Sequence, residues 1–515
     1  MSERGDVPTR AAAAVRSNAA ALPLVVGLGL AGTTVVANVL TTVELAAFLV
    51  VLSIRGTVQF ITDMGSGTAS ARAFARLEHA GAKHPALALY ARLGLIRIVL
   101  ILVLLGAVLT FPQPLHDALG DDLDTETAVT LVLAMVGIEV FASLGFYTLT
   151  GLLRHDLVNR IAIAQAIVQP LTIIALVAAG FGLTGALVGL LVGSLLRGLA
   201  LHICAFQALQ AIQSDDPAGA ADADPERLTP TAVAAGAGKL ASFAHSRQLI
   251  SLKAASVAPA GQFVLFALAY DLTHQALTPV VNPVGSVLGP SLATVGDADR
   301  SAGIASTAIR VLLLGTVGVA AAFTLAIGFV DDAVFGPQFA DMDLYVLILA
   351  PAVAIELALT VPMTAVMLAS DPWLRAYRTI KLATLAAAGV YFAVGLSDLL
   401  LVLALMAAIR LASALALAIV YHRRQPLRLP GAWLAGLALT AAAAGAIGWG
   451  LGTAVGGGIA GGIAGTAALG LVYLAGLRFA GLVYVEDLAT FGRVLPGSQE
   501  RLGRLFAARS IAAAV

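Results

Sequence analysis

The chain of 515 residues is 59% hydrophobic and 12% charged, with a mean hydropathy of +0.93 and zero formal net charge. A soluble globular protein carries charge on about a quarter of its residues, so that class is excluded. Apolar runs of about 18 residues or more recur from Ala20 almost to the carboxy-terminus, as expected of an all-α polytopic membrane protein. The single cysteine, Cys204, excludes an internal disulfide framework and a thiolate metal cluster, and reads as a small hydrophobe within a helix.

In chain order, "MSERGDVPTRAAAAVRSNAAALPLVVGLGLAG" sets a few cations before a long apolar stretch that leads straight into another. It reads as a first spanning helix rather than a signal peptide. Apolar windows between turn-rich breaks predict about 14 spans of about 20 residues. They begin near Ala20, Val43, Tyr90, Ala128, Ile161, Gly182, Ala232, Gln262, Ala305, Leu344, Ala376, Asp398, Ala432 and Val455.

Lys and Arg mark loops of one parity: Arg4, Arg10 and Arg16, then Arg72, Arg76 and Lys83, then Arg154 and Arg160, then Arg300. Arg375, Arg378 and Lys381, then Arg423, Arg424 and Arg428, and finally Arg493, Arg501, Arg504 and Arg509 continue the series. The opposite loops, such as "FPQPLHDALGDDLDTET" and "VDDAVFGPQFADMD", are acidic. The excess of cations on one side predicts that both termini are cytoplasmic and that the number of spans is even.

The pattern repeats. "GIEVFASL" in the fourth span and "AIELALTV" in the tenth place Glu139 and Glu356 after an isoleucine at an offset of 217, and "TVELAAFLVVLS" matches "PAGQFVLFALAY" at the same offset. Repeats of even span number share one orientation and are related by an axis along the membrane normal. The expected organisation is a six-helix lobe over 1–206 and a cytoplasmic linker over 207–230, "QALQAIQSDDPAGAADADPERLTP". A second six-helix lobe follows over 231–422, and two extra spanning helices with a cytoplasmic tail occupy 423–515.

No enzyme signature stands. "GAGKL" at Gly236–Leu240 lacks the upstream glycine and the hydroxyl residue of a phosphate-binding loop, and the eight histidines show no metal-ligand spacing. No catalytic residue, metal or cofactor is therefore expected, beyond a possible H+ or Na+ coupling ion. The glycines of "GGGIAGGIAG" (Gly457, Gly461, Gly465) have the small-xxx-small spacing of close helix packing.

Polar groups at membrane depth remain. Arg55, with Gln59 one turn on, lies in the second span. The seventh span, "AGKLASFAHSRQLISLKAASVA", puts Lys239, Ser242, Ser246 and Lys253 on one stripe, with Arg247 at its flank. So cationic a helix is expected to line a water-filled cavity or a lobe interface. The eighth span adds Asp271 and His274, with Pro279 and Pro283 as kinks. Arg55, Gln59, Lys239, Ser246, Arg247, Lys253, Asp271 and His274 form the candidate binding set for an anionic cargo, because a guanidinium fork suits phosphate. The bland readings stand beside this one. On the structural reading Arg55 pairs with Asp271 or Glu139 to hold the lobes together, and Lys239 and Lys253 snorkel to the headgroups. Glu139 and Glu356 are read as lobe-pairing or coupling groups, and Asp63 mainly as a helix end.

"AAFLVVLSIRGTVQFITDMGSGTASARAFAR" resembles the second-span region of the multidrug/oligosaccharidyl-lipid/polysaccharide exporter superfamily, with Asp63, Gly65, Ala71, Arg72 and Arg76 at its motif positions. "YTLTGLLRHDLVNRIAIAQAIVQP" and "AVFGPQFADMDLYVLILAP" (Phe335, Gly336, Phe339) are similar to its fourth-to-fifth and ninth-to-tenth connections. The resemblance implies two six-helix bundles in a V around a central cavity, as in the MATE branch. In the polysaccharide, O-antigen flippase-like branch it implies export of a polyprenyl-(pyro)phosphate-linked oligosaccharide for cell-surface polysaccharide biosynthesis. The expected partners are that lipid-linked glycan, membrane lipids, and glycan polymerase or glycosyltransferases; no nucleic acid is expected. The first span carries Thr33, Thr34 and Asn38 but no cation, unlike the superfamily's lipid II flippases. The alternative is a cation-coupled multidrug antiporter of the same fold, which would need an acidic cavity.

Overall fold

A computed structural model describes residues 24–25, 27–63, 66–110, 125–212, 229–255, 257–292, 298–336, 339, 341–369, 371–394, 398–488 and 506. The linker residues 213–228 and most of the tail beyond 488 lie outside the described residues. No β-strand occurs among those described, and the fold is all-α as expected.

The helices are α1 (Gly27–Val39), then α2 (Thr42–Asp63), α3 (Ser66–His79), α4 (Lys83–Thr110), α5 (Thr125–Gly151), α6 (His155–Leu176) and α7 (Gly182–Gln210). They continue with α8 (Thr229–Ala244), α9 (Arg247–Ala254), α10 (Ala260–Leu292), α11 (Ala298–Phe335) and α12 (Met342–Ala369). The last are α13 (Asp371–Ala387), α14 (Gly389–Val394), α15 (Leu399–His422), α16 (Gly431–Ala454) and α17 (Gly458–Phe479). Among the described residues 9 helical stretches are long and apolar enough to cross a membrane, and one of them, His155–Gln210, holds both α6 and α7. The expectation of about 14 spans therefore exceeds what length and apolarity alone mark out here.

The chain divides into two compact units: one comprises 20–267 and 377–399, the other 1–19, 268–376 and 400–515. The seventh span and the segment 377–399 belong with the amino-terminal helices.

Within the first unit, Thr41 and Glu44 cap α2 reciprocally: the Thr41 N–H donates to Glu44 Oε2 at 2.9 Å and the Glu44 N–H to Thr41 Oγ1 at 3.3 Å. Helices α6 and α7 form an antiparallel hairpin. A Cβ added at Gly189 would lie 2.8 Å from the Ile173 nitrogen, and one at Gly193 would lie 2.7 Å from the Gln169 Cβ. Only glycine lets these two backbones approach so closely. The hairpin turns at Gly180 (φ 91°) and Gly182 (φ 47°), where a side chain would be strained.

The seventh span differs from its expected form. It is broken into α8 and α9 at Ser246, whose backbone is extended (φ −100°, ψ 155°). His245 beside the break bonds the Tyr391 hydroxyl of α14 and the Thr384 carbonyl of α13, the latter at 2.6 Å. Lys239 and Lys253 thus sit on separate helices, and no continuous cationic stripe exists. Both pieces run along α2: Phe243 stacks on Phe60 with ring centroids 4.2 Å apart, and Gln248 covers Gly56.

In the second unit, α16 and α17 form an antiparallel hairpin against α11. A Cβ at Gly448 would lie 2.7 Å from the Gly465 carbonyl oxygen, and one at Gly452 2.9 Å from that of Gly461. Gly461 and Gly465 thus serve the expected close packing, whereas Gly457 precedes the helix at φ 72°. Tyr473 of α17 donates its hydroxyl to the Leu314 carbonyl of α11 at 2.7 Å. Beyond α17, Asp487 grips the fully buried Arg310 of α11, with Nη2 to Oδ1 at 2.6 Å and Nε to Oδ1 at 3.0 Å. Burial holds the Asp487 carboxyl above the ordinary carboxylate range although Arg310 pulls it down. The Arg310 Nη1 also donates to the Arg428 carbonyl at 2.9 Å, so one guanidinium fastens both flanks of the hairpin.

Gly448→Val should force α16 off α17 and lower the thermal midpoint in detergent by several degrees, as overpacking costs about 1–3 kcal/mol. Gly445→Ala on the same helix, where a Cβ meets nothing within 4 Å, should leave it unchanged. Equal melting of both variants and the wild type would show that the hairpin is not packed this way.

Candidate functional site

In the first unit, a carboxylate organises the guanidinium groups. Glu139 of α5 has 1% of its side chain exposed. Arg55 of α2 donates from Nη2 to Glu139 Oε1 at 2.5 Å. Ser194 of α7 donates to the same oxygen at 2.8 Å, and Arg197, one turn on, reaches Oε2 at 3.5 Å. Three helices are tied by one buried anion. The cluster holds two cations and one anion, so it keeps one positive charge in excess. Neither arginine is wholly buried: the side chain of Arg55 is 15% and that of Arg197 25% exposed.

Other cations of this unit are placed differently. Arg247 is buried at the start of α9, and its Nη1 donates to the Leu49 carbonyl at 3.2 Å and the Ser53 hydroxyl at 3.1 Å, both on α2. Ser246, the residue before that helix, donates its hydroxyl to the Phe243 carbonyl at 2.7 Å. Lys239 lies 5.5 Å above the Tyr147 ring of α5 and 3.4 Å from its hydroxyl. Lys253 is exposed in the last turn of α9. Gln59 is half-buried one turn beyond Arg55, and Asp63 ends α2 with its side chain outside the described residues.

The second unit builds a related cluster. Glu356 of α12 accepts from Arg410 of α15, with Nη2 at 2.7 Å and Nε at 3.1 Å. The Arg410 Nη1 donates to the Tyr270 hydroxyl of α10 at 2.9 Å, and Nη2 also lies 3.2 Å from His274 Nε2. Asp271 is half-buried beside Tyr270 on the same helix.

Glu139 and Glu356 each close an ion pair inside their own unit. Of the two pairing partners considered for Arg55, Glu139 is the one it takes. Arg97, Arg197, Arg310 and Arg410 were not singled out as site residues, yet each stands within an apolar run, as in "LGLIRIVLIL" and "GSLLRGLAL". That placement marks an intramembrane cation. Arg97 of α4 is buried and holds α5 through the Val140 carbonyl at 2.5 Å and the Ser143 hydroxyl. Among the described residues, no group of three or more His, Cys, Asp or Glu is arranged to hold a metal ion.

A separate apolar cavity of about 520 Å³ lies among α11, α12 and α16, walled by Leu325, Leu347, Pro351, Ile355 and Trp449, with Asp343 also in its lining.

The family model described as polysaccharide biosynthesis protein matches residues 17–231. The fold is similar to that of the lipid II flippase MurJ in its inward closed conformation, at 13% identity, with TM-score 0.60 over 90% of this chain and 98% of that one. An outward-facing multidrug resistance MATE family transporter of the MOP superfamily is similar at 15% identity, TM-score 0.55, over 82% and 96%. The Vibrio cholerae MATE transporter VcmN in its bent form gives 15% identity and TM-score 0.51 over 81% and 97%. No curated protein matches the sequence. At such identities the likeness is one of fold. The chain shares the all-helical membrane fold of these transporters, and its residues 17–231 match the polysaccharide biosynthesis model.

Glu139→Ala leaves Arg55 and Arg197 without their shared anion, and breaking one side of a buried pair costs roughly 3–5 kcal/mol. Membrane abundance and the detergent melting point should both drop, while Arg197→Ala, which keeps the 2.5 Å pair, should change them little. Melting of Glu139→Ala at the wild-type temperature would rule out this anion as the tie of the unit.

Proposed function

We propose that the protein is a flippase that moves a polyprenyl-(pyro)phosphate-linked oligosaccharide across the cytoplasmic membrane for cell-surface polysaccharide biosynthesis. The observation that carries the reading is the charge excess at Glu139: Arg55 and Arg197 converge on one carboxylate and remain partly exposed. A guanidinium shared in this way keeps N–H groups available for a second anion, and phosphate is the anion its planar fork fits. Gln59 lies one turn from Arg55, and Lys239 is on a neighbouring helix of the same unit, where they extend the polar surface that a glycan headgroup would meet. Ser246, Arg247, Lys253, Asp271 and His274 keep secondary roles in this reading, because Arg247 is taken up by α2 and His274 by Arg410.

Two further observations support a lipid-linked cargo. The polysaccharide biosynthesis match covers the part of the chain that contains the Arg55 cluster. The cavity beside Trp449 offers an apolar lining to a hydrocarbon tail. The cargo's charge also separates this reading from a multidrug antiporter for organic cations, since a site with excess positive charge repels them. The distribution of Lys and Arg supports cytoplasmic termini in this reading. Alternating access is the expected cycle.

In a strain that lacks glycan export, the wild type should restore surface glycan. Arg197→Ala at equal membrane abundance should reduce export about tenfold or more, the loss expected for one charge-assisted hydrogen bond. Full export by Arg197→Ala would remove the cluster from the cargo path. Resistance to organic cations on expression, without glycan export, would favour the antiporter.

A further inference from the structure

The two carboxylate clusters have related plans. In each, a glutamate of the fourth helix in the repeat accepts from an arginine of the sixth. They differ in what the second helix contributes. In the first unit Arg55 bonds the glutamate itself, and a guanidinium stays charged at every accessible pH. In the second unit the offset of 217 carries position 55 to Leu272, and the flanking Tyr270 and His274 bond the arginine rather than the glutamate. A permanent cation has been exchanged for a titratable ring.

The hydrogen bonds of His274 fix its protonation state. An arginine Nη2 can only donate, so His274 Nε2, at 3.2 Å, must present its lone pair. The other ring nitrogen, Nδ1, lies 3.0 Å from the Tyr270 carbonyl oxygen, which can only accept, so Nδ1 carries the hydrogen. The ring is stacked on Tyr270, with centroids 4.1 Å apart, and is not free to swing away. The ring is therefore held neutral, and it stays so only while Arg410 donates to it.

We propose that His274 is a proton-binding residue that controls the grip of α15 on α10. A proton from water taken by the Nε2 lone pair replaces an accepting nitrogen by a donating one. Two cationic donors then face each other at a distance suited to one hydrogen bond, and the Arg410 guanidinium is expelled from the ring. The imidazolium keeps its bond to the Tyr270 carbonyl and gains a donor for Glu356, whose Arg410 bonds fall on Oε2. Among the described residues, the charged and titratable groups around the ring include Arg410 from α15, Glu356 from α12 through Arg410, and Tyr270 and the neighbouring Asp271 from α10 itself. Protonation raises the cluster of Glu356, Arg410 and His274 from neutral to one positive charge, the composition that Arg55, Arg197 and Glu139 hold permanently. The first unit is thus fixed and the second responds to pH. This inference goes beyond the cargo reading and does not depend on it, because it concerns the contact of α15 with α10 and not the Glu139 cluster.

The test is amide hydrogen exchange on the full chain in lipid nanodiscs between about pH 5.5 and pH 8, which brackets the ordinary histidine value of about 6.5. After correction for intrinsic chemical rates, peptides spanning Tyr270–His274 and Arg410 in the wild type should lose protection on acidification. The loss should be at most about tenfold per pH unit, the limit for a single proton. His274→Gln, whose amide oxygen can accept from Arg410 at any pH, should stay protected throughout. A wild type whose protection is independent of pH overturns the proposal, as does a His274→Gln variant that keeps the wild-type response. Should the variant fail to fold, the 15N-histidine spectrum of the wild type decides. It must contain a histidine that is in the Nδ1–H form at high pH and titrates with the exchange. A spectrum without one overturns the proposal. No glycan enters this experiment, so its failure and failure of the cargo reading are distinguishable.

Discussion

A charged side chain at the centre of a spanning helix costs roughly 2.5–3.5 kcal/mol, and a lone one in hydrocarbon considerably more. This chain places Arg55, Arg97, Arg197, Arg310 and Arg410 inside apolar helices, so its architecture must supply each with acceptors. It does so in three ways. Glu139, Glu356 and Asp487 pair with guanidinium groups directly. Backbone carbonyls and hydroxyls accept from Arg97 and Arg247. Tyrosines add ring faces and hydroxyls, as Tyr270 does for Arg410. Helix association in lipid gains nothing from hydrophobicity between apolar surfaces, so these polar ties and the close glycine contacts carry much of the specificity.

The polar ties are local to each unit, and that locality bears on mechanism. A unit whose own helices are cross-linked by a buried carboxylate can move as a body, because its internal hydrogen bonds need not break when its surroundings change. The glycine contacts serve the same end by another route. In the α6–α7 and α16–α17 hairpins, close packing of glycine against a neighbouring backbone stiffens two helices without any charge. Alternating access requires bodies of this sort.

Much of the fold was legible in the sequence, because hydrocarbon imposes a coarse rule that apolar windows obey. The repeat at 217 residues was legible too, through Glu139 and Glu356, since a glutamate inside an apolar run stands out. The partner of Arg55 was not fixed, because Glu139 and Asp271 were both available at membrane depth and only tertiary placement chooses between them. The break at Ser246 left no mark. "AGKLASFAHSRQLISLKAASVA" has no proline and no glycine at the break, and the anchors of His245, Thr384 and Tyr391, lie more than a hundred residues away. Asp487 was hidden for a similar reason: past the last span it reads as a tail residue, and only its contact with Arg310 makes it structural.

In the proposed function the excess positive charge around Glu139 serves a travelling anion. This is tested by reconstituting the purified chain in liposomes with a fluorescent polyprenyl-pyrophosphate oligosaccharide in one leaflet and following its appearance in the other. Transfer should be competed by the unlabelled pyrophosphate lipid, insensitive to organic cations, and strongly slowed in Arg197→Ala. Transfer of a neutral glycolipid at the same rate, or transport of an organic cation with no movement of the anionic lipid, would contradict it.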